Sequence, residues 1–450
     1  MLEEKYEFKS SLKRTLFIIM AVGVVLFGIG VMQVSSGGGH HEEVTASTEA
    51  AVAHDHDAQA ENAHGEEATQ AEGEEVHEAG GHHEYHWTQR LFANLWINNV
   101  FFIGLSIIGV FFFALQWAAS AGWSAGIIRI PMAFGSWLPI AFILMVAVFA
   151  AAMPSHALFH WLDPSLYIED GPNYDSIIAG KRGYLNVPFY AIRGVVFFGV
   201  WYLLFKALRK NSLNEDLNPS DSYWRKNRTL ATIFIIFFGL SSSSAAWDWV
   251  LSIDTHWFST MFGWYVFASW FVSGLAAITL IVVFLKEAGY LKVVNANHIH
   301  DLGKFVFAFS IFWTYIWFSQ FLLIYYANIP EETYYFVERW KSDHYAPYFF
   351  INLILNFFFP FLMLMTRDAK RQIIFLKIVC FVVLFGHWID FYLMVTPGTL
   401  KENGGFGFLE IGLIMIYATT FLFVVLRSLA KNPLVAKNHP MLEESLHHHI

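Results

Sequence analysis

The chain has 450 residues, of which 56% are hydrophobic, 18% aromatic and 14% charged, with a mean hydropathy of +0.44. A soluble globular chain carries about 25% charged residues, so this composition excludes a disordered chain, a nucleic-acid-binding protein and an ordinary cytosolic enzyme. The net charge of −9 belongs to residues 40–86, which hold 13 Asp and Glu and no Lys or Arg. The single Cys excludes a disulfide framework, a Cys-ligated iron–sulfur cluster and covalently attached haem.

Long apolar runs predict a protein that crosses a membrane with helices. A helix needs about 20 apolar residues to cross about 30 Å of hydrocarbon. Ten predicted spans meet this length, in chain order: Thr15–Val34, Leu91–Ala118, Ile130–Met153, Val187–Leu208, Thr229–Leu251, Thr260–Leu285, Phe305–Ala327, Pro347–Thr366, Ile373–Val395 and Phe408–Leu429. We therefore expect an all-α integral membrane fold of about ten transmembrane helices.

The distribution of Lys and Arg predicts the orientation of these spans. The segments on one side of the membrane carry 21 basic residues and those on the other side carry 6, in regular alternation. Because basic residues accumulate in cytoplasmic loops, we expect both termini in the cytoplasm. The His-rich segment between the first and second spans is then on the outer side.

Two segments near the N-terminus have alternative interpretations. The first span follows Lys9, Lys13 and Arg14, which suits a signal peptide. Its long apolar run, without an Ala-x-Ala site after it, favours a retained anchor helix over residues 1–35 instead. Residues 36–86 are rich in Gly, Ala, Glu and His and have little to bury, which favours a disordered, pH-responsive outer loop over a zinc or copper store.

Ionisable groups inside or beside the spans are the candidate functional residues, because charge within a membrane is costly. The candidates for a proton relay are Asp248, Asp254, His256, His387 and Asp390. The candidates for a ligand-binding or relay site at the outer ends of the third and fourth spans are His156, His160, Asp163 and Arg193. The i, i+4 spacing of His156 and His160 predicts that they share a helix face. No metal site is predicted.

Several of these groups also have a structural interpretation. Asp163 can end one helix and Asp254 can cap the next. Arg193 can form a static bridge with Asp248 or another acid. Glu410 lies near enough to the surface for its carboxylate to snorkel into water.

His387 and Asp390 lie three residues apart on one helix face and too deep for helix capping. A buried polar network or a proton relay is therefore the favoured interpretation. A haem between His387 and either His156 or His160 is disfavoured, because His387 lies at middle depth and the other two lie near the outer surface.

The fifth and ninth spans look related. Residues 246–249 read Ala-Trp-Asp-Trp and residues 386–390 read Gly-His-Trp-Ile-Asp, so each places an aromatic residue and an acid within an apolar helix. These segments lie four spans apart. This predicts two four-helix bundles, formed by spans 2–5 (residues 87–259) and spans 6–9 (residues 260–396). Span 1 flanks them, as do the last helix and cytoplasmic tail over residues 397–450.

Two long motifs carry a resemblance to a known family. Residues 247–260 read Trp-Asp-Trp-Val-Leu-Ser-Ile-Asp-Thr-His-Trp-Phe-Ser-Thr. Residues 319–332 read Ser-Gln-Phe-Leu-Leu-Ile-Tyr-Tyr-Ala-Asn-Ile-Pro-Glu-Glu. Together they resemble the NrfD/polysulfide-reductase-like membrane subunits of bacterial alternative complex III, and most of all the second such subunit (the F subunit, quinone-binding subunit 2). The resemblance covers most of residues 85–430.

The resemblance implies a respiratory setting. Alternative complex III oxidises menaquinol and reduces a cytochrome c or a bound oxidase. The implied partners are multihaem cytochromes c, an iron–sulfur subunit, a second NrfD-like subunit and a terminal oxidase. Haem and iron–sulfur centres are expected in those partners, and menaquinone is the candidate ligand of this chain. Because the resemblance implies two such subunits and only one beside the iron–sulfur subunit, it favours a proton path or a structural role for the F-type subunit over quinol oxidation itself. The implied location is the bacterial inner (cytoplasmic) membrane with the His-rich loop in the periplasm, and the implied fold is two four-helix bundles with flanking helices.

Oxidation of a quinol releases two protons, which His and carboxylate side chains can accept. The candidates on the outer side suit this role: Asp248, Asp254, His256, His156, His160 and Asp163. A relay can continue inward through His387, Asp390, Tyr392 and Arg193. A scaffold whose buried charges are static bridges is one alternative. A proton-coupled transporter is another; it favours broken spans at matching places in the two bundles, which Pro131, Pro139 and Pro360 do not provide.

Overall fold

The computed structural model describes residues 4–36 and 86–449. The predicted disordered loop lies outside these ranges except at its two ends. The described residues form helices joined by short connections, and they contain no β-strand beyond an isolated bridge between Lys5 and Pro433.

The α-helices are numbered along the chain. They are α1 Ser10–Ser36, α2 Trp87–Ala118, α3 Arg129–Phe134, α4 Leu138–Ala152, α5 Ser176–Gly180, α6 Val187–Leu217, α7 Asp221–Trp249, α8 Phe262–Glu287, α9 Ala296–Ala327, α10 Pro330–Trp340, α11 Ala346–Leu353, α12 Phe359–Met363, α13 Ile373–Leu400, α14 Phe408–Leu429 and α15 Leu442–Leu446. Within the described residues, ten helical segments are long and apolar enough to cross a membrane. The chain is an all-α, multi-pass membrane protein, as its composition predicts.

Two of the spans are interrupted. The third, Arg129–Ser155, consists of α3, a 3-10 turn and α4, and the eighth, Ala346–Met363, consists of α11, a π-helical turn over Ile354–Phe358 and α12. Pro139 lies in the first turn of α4 and Pro360 in the first turn of α12. Proline has no N–H to donate to the preceding turn, so a new helical segment begins at each of these points.

The helices of spans 2–5 pack on one another, as do those of spans 6–9, and we call these sets the first and second units. Helices α2 and α8 lie at the centre, where they contact each other and are largely buried. A Cβ atom at Gly104 of α2 would overlap the Trp270 ring of α8, so only glycine permits this approach. Helix α1 packs along α14 at the periphery.

The segment after α14 folds back over one end of the helices. The imidazole of His439 contacts the rings of Trp117 and Trp224, at centroid distances of 4.6 and 5.5 Å. Nε2 of His448 lies 2.7 Å from a carboxylate oxygen of Asp301. We call this end the inner side and the opposite end the outer side, following the predicted orientation.

Candidate functional site

Asp390 lies well inside α13 and is completely buried. Its Oδ1 accepts hydrogen bonds from the Tyr265 hydroxyl of α8 and from Nδ2 of Asn352 of α11, the latter at 2.8 Å. Its Oδ2 accepts a hydrogen bond from Nε1 of Trp313 of α9 at 2.9 Å. Three other helices of the second unit therefore converge on one carboxyl group through neutral donors.

His387 lies one turn before Asp390 and is also completely buried. Its Nδ1 is 3.0 Å from Oγ of Ser269 and 3.8 Å from Oδ2 of Asp390, and the Trp313 ring packs edge-on against the imidazole. The predicted shared face of these two residues is thus observed. We name Asp390, His387, Tyr265, Trp313 and Asn352 the Asp390 cluster; within the described chain, no Lys or Arg forms an ion pair with its carboxylate.

A cleft lies beside the Asp390 cluster and beneath α10, and we call it the Arg339 cleft. Aromatic side chains of α9, α10 and α11 form its walls together with Tyr265, Asn352 and Arg339. Its free space is about 10 Å³, roughly that of one water molecule. Since Tyr265 and Asn352 also donate to Asp390, they connect the wall of the cleft to the buried carboxyl group.

Arg339 enters this cleft from a short amphipathic helix. Its neighbours Tyr335 and Phe336 are buried with it, whereas Val337 and Trp340 on the other face of α10 are exposed. Nε donates to the carbonyl oxygen of Leu393 at 2.9 Å and Nη1 donates to that of Tyr335 at 2.6 Å. In the described chain, Nη2 is buried without a hydrogen-bond partner.

The first motif holds α10 in place over the cleft. The Trp257 ring stacks on Tyr335 at a centroid distance of 3.8 Å, and its Nε1 donates to the carbonyl oxygen of Glu332 at 3.1 Å. The Tyr334 hydroxyl donates to Oδ1 of Asp254 at 2.5 Å. The contact of Trp257 with Glu332 therefore joins the two motifs. Asp254 bonds to α10 and does not cap α8, which begins at Phe262.

Asp248 is the next-to-last residue of α7 in the first unit, and it is paired with a cation. Nε and Nη2 of Arg193 lie 2.6 and 2.9 Å from its two carboxylate oxygens. The guanidinium also packs over the ring of Tyr184, 3.9 Å from the centroid. The pair is buried and bidentate, as expected if Arg193 forms a static bridge with Asp248.

The outer residues of the third span differ from prediction in one respect. The prediction that His156 and His160 share a helix face is wrong. Helix α4 ends at Ala152 and is followed by a 3-10 turn containing Pro154, after which His156 adopts a left-handed backbone conformation with φ 50°. His160 begins a separate 3-10 turn. Asp163 directly follows the 3-10 turn His160–Leu162, and its carboxylate accepts from the amide of Ser165 at 2.9 Å at the start of the next turn. It therefore ends one helical turn, as its structural interpretation predicts, and caps another.

His256 lies half-exposed between two outer connections, where its Nε2 is 2.5 Å from Oδ2 of Asp175. Burial alone would raise the pKa of Asp175, but the amides of Ile177 and Ile178 and the imidazole of His256 hold that pKa below its usual value. His256 is thereby placed in a surface ion pair, away from the Asp390 cluster.

Glu410 is buried and does not snorkel to the surface. Its carboxylate accepts two hydrogen bonds from Arg90 at 2.8 and 2.9 Å, one from Asn94 at 2.9 Å and one from the amide of Gly407 at 2.7 Å. Tyr392 donates to the carbonyl oxygen of Gly405 instead of continuing a relay from Asp390.

The most informative residues absent from the sequence-based set are Arg339, Tyr265, Trp313 and Asn352. Asn352 and Asn356 lie at i, i+4 within an apolar span, a signal that marks a polar face. Arg339 gave no such signal, because it lies in a connection that lacks the length of a span. Its burial depends on α10 folding back against the bundle.

The described residues do not favour a resident metal or haem. Among them, no group of three or more His, Cys, Asp or Glu side chains could hold a metal ion. Cys380 is buried. Serine and tryptophan side chains occupy the surroundings of His387, so a haem would have to displace them.

Comparisons with known proteins do not assign a family. No protein-family model matches the chain, and no curated protein is significantly similar to it.

Proposed function

We propose that this chain is a membrane subunit of a quinol-oxidising electron-transfer complex and that the Asp390 cluster transfers protons in it. The observation that carries the proposal is a fully buried carboxyl group that accepts from Tyr265, Trp313 and Asn352 and that pairs with no Lys or Arg of the described chain. Protonating an acid that is paired with a buried guanidinium strands that cation, which is costly. Protonating Asp390 strands no Lys or Arg, and this supports proton exchange at this group, with the imidazole of His387 beside it.

The chemistry of quinol oxidation fits this assignment. A quinol loses two protons and two electrons; the electrons pass to an iron–sulfur or haem centre of a partner subunit, and the protons need acceptors in this chain. A carboxyl group and an imidazole at hydrogen-bond reach serve as such acceptors. The His387–Asp390 pair provides both within one helical turn.

The setting belongs to the same proposal. The two motifs support membership of an assembly like alternative complex III, with multihaem cytochromes c, an iron–sulfur subunit, a second NrfD-like subunit and a terminal oxidase as partners. The 21 to 6 bias of basic residues supports a bacterial inner-membrane orientation with cytoplasmic termini and a periplasmic His-rich loop.

The deciding experiment compares Asp390→Asn with the wild type in the purified assembly. We expect quinol oxidation and proton release to fall about 100-fold, the range lost when a general base is removed. Asp343→Asn, an exposed outer-side aspartate, is the matched control and should retain full activity. Unchanged quinol oxidation and proton release in Asp390→Asn would refute the proton-transfer role.

A scaffold role is the second candidate, because the Arg193–Asp248 pair in the first unit is a closed bridge of the kind that a scaffold contains. A scaffold would leave both rates unchanged in Asp390→Asn while the assembly stays intact. A transporter is less well supported, since the broken span is the second of the first unit and the third of the second unit. Purification of the tagged chain without haem-containing partners would favour the transporter.

A further inference from the structure

Exposed basic side chains are concentrated where α6 and α7 meet at the inner side. The two helices pack on each other and are joined by a short connection over residues 218–220. Arg209 is half-buried and donates to Oγ of Ser136 at 3.4 Å. The five fully exposed cations of this segment form what we call the hairpin patch: Lys206 and Lys210 of α6, and Arg225, Lys226 and Arg228 of α7. At about 1.5 Å per residue, all five lie within about 17 Å of the connection along the helix axes.

The hairpin patch has no acidic partner. Within the described residues, none of its five side chains forms an ion pair or a hydrogen bond, and the ammonium of Lys206 lies over the Tyr202 ring, 5.6 Å from the centroid. The acids of the same segment do not balance the patch, because Glu215 and Asp216 are buried and only Asp221 is exposed. The surface of the hairpin is therefore strongly positive.

Basic residues at the inner ends of α9 and α13, in the second unit, have partners within the chain. Lys304 pairs with Asp301 at 2.6 Å, and Lys377 pairs with Glu287 at 2.7 Å. Nζ of Lys370 donates to two backbone carbonyl oxygens at 3.1 and 3.2 Å. The accumulation of basic residues on the cytoplasmic side explains their number in both units, but it does not explain why the hairpin patch lacks partners. An unpaired group of cations attracts an anion from outside the described chain.

Toward the middle of the membrane, the exposed faces of the same two helices are apolar. Leu203, Lys206 and Lys210 of α6 are spaced i, i+3 and i+7, so they share a face. Arg225 and Ile236 of α7 lie eleven residues apart, about three turns, and also share a face. Leu203 and Ile236 are both exposed. A face that is apolar along the bilayer and basic at its inner end is complementary to a phospholipid with an anionic headgroup.

We propose that the hairpin patch binds the headgroup of an anionic phospholipid from the leaflet on the inner side. The phosphate oxygens accept hydrogen bonds from Lys and Arg, and Arg suits phosphate because it presents parallel N–H donors. The acyl chains lie along Leu203 and Ile236. Because both helices contribute cations, a headgroup with two phosphates, as in cardiolipin, fits better than one with a single phosphate. This proposal does not depend on the proposed role in electron transfer.

The experiment measures lipid binding to the full-length chain in non-ionic detergent by native mass spectrometry. We expect cardiolipin to bind most tightly, phosphatidylglycerol more weakly and phosphatidylcholine least. Each basic residue near a membrane surface contributes about fivefold to the affinity for anionic lipid. The triple variant Lys210→Gln, Arg225→Gln, Arg228→Gln should therefore weaken cardiolipin binding about 100-fold.

The matched control removes three exposed lysines of the inner side that lie outside the hairpin, in the triple variant Lys9→Gln, Lys292→Gln, Lys431→Gln. It should bind cardiolipin like the wild type. Both triple variants should retain the native melting temperature, because all the substituted side chains are exposed. Equal weakening in the two variants would overturn the site, since it would reflect net charge alone. Equal binding of phosphatidylcholine and cardiolipin to the wild type would also overturn it.

Hydrogen exchange and competition locate the site and identify its occupant. Cardiolipin should slow exchange in residues 217–228 and leave the inner connection over residues 288–295 unchanged; slowing only elsewhere would overturn the site. Displacement of cardiolipin by inorganic phosphate would identify a soluble anion as the occupant, and displacement by poly-glutamate would identify an acidic protein partner. Either displacement would refute a phospholipid site.

Discussion

Each unit holds a buried aspartate in one of its long helices, and the two aspartates have opposite kinds of partner. Asp248 in the first unit receives both prongs of the Arg193 guanidinium. Asp390 in the second unit receives a phenol, an indole and an amide. The first arrangement pairs the carboxylate with a buried cation, whereas the second surrounds the carboxyl group with neutral donors, which is the basis of the proton-transfer role that we propose for it.

The comparison teaches that the partner, and not the acid, determines what a buried carboxylate can do. A bidentate guanidinium fixes the orientation of the carboxylate and also favours its charged form. Neutral donors fix the orientation of the carboxyl group without supplying a counter-charge. On this basis we propose a structural role for Asp248 in the first unit and a proton-transfer role for Asp390 in the second. The following experiments test this difference.

The largest expected effect is on stability in the first unit. Asp248→Asn removes the counter-charge of Arg193 and leaves a buried cation uncompensated, so the free energy of unfolding should fall by about 3–5 kcal/mol. Unfolding by SDS in mixed micelles measures this change. The double variant Arg193→Met, Asp248→Leu removes both charges and should recover most of the loss; no recovery would mean that packing, not charge, is responsible.

A smaller stability effect is expected at Asp390, the buried aspartate of the second unit. Asp390→Asn keeps an acceptor oxygen for Tyr265 and Asn352 but turns an amide N–H toward Nε1 of Trp313. The free energy of unfolding should fall by about 1–3 kcal/mol, measured in the same micelles. A loss as large as that of Asp248→Asn would break the comparison, because no stranded cation would explain it.

The smallest effect concerns pH at the outer surfaces of the two units. Burial raises the pKa of Glu338 in α10 above its usual value, against the opposing effects of Arg339 and Lys401. Its contribution to stability is therefore full below its unfolded pKa and is lost as pH rises through the folded value. Asp175 has a lowered pKa, so its contribution persists at neutral pH and is lost only under strong acid.

Acidification from pH 7.5 to pH 5 should therefore slow hydrogen exchange in α10, after correction for the intrinsic exchange rate. Helix α5 is compared in His256→Asn, which removes the imidazole that faces Asp175, and it should be unchanged there. Glu338→Gln should abolish the pH response of α10. An equal response in both helices would show that the two outer surfaces are not distinct.

Much of the fold follows from the sequence because membrane spans are encoded locally. Each needs only an apolar run of sufficient length, and all ten predicted spans correspond to helical segments of the described chain. The helical spacing of His387 and Asp390 likewise placed them together. The same rule failed for His156 and His160, because the helix ends at Ala152, before both of them, and His156 takes a left-handed conformation.

The partners of each buried charge could not be predicted in this way. Tyr265 and Asp390 are separated by 125 positions, and Arg90 and Glu410 by 320. Apolar periodicity does not encode which helices become neighbours. Arg339 was hidden for a related reason: its burial arises from Trp257 of the first motif, which stacks on α10 from a distant part of the chain.

The π-helical turn over Ile354–Phe358 makes the orientation of Asn352 depend on the number of residues in the eighth span. Such a turn holds about one residue more than an α-turn, and Asn352 lies two residues before it. Deleting one residue there would restore a regular helix that still crosses the bilayer. It would also rotate Asn352 by about 100° relative to α12, carrying its amide away from Asp390. Insertions and deletions in this segment would thus leave its hydropathy unchanged but would remove the hydrogen bond between Asn352 and Asp390.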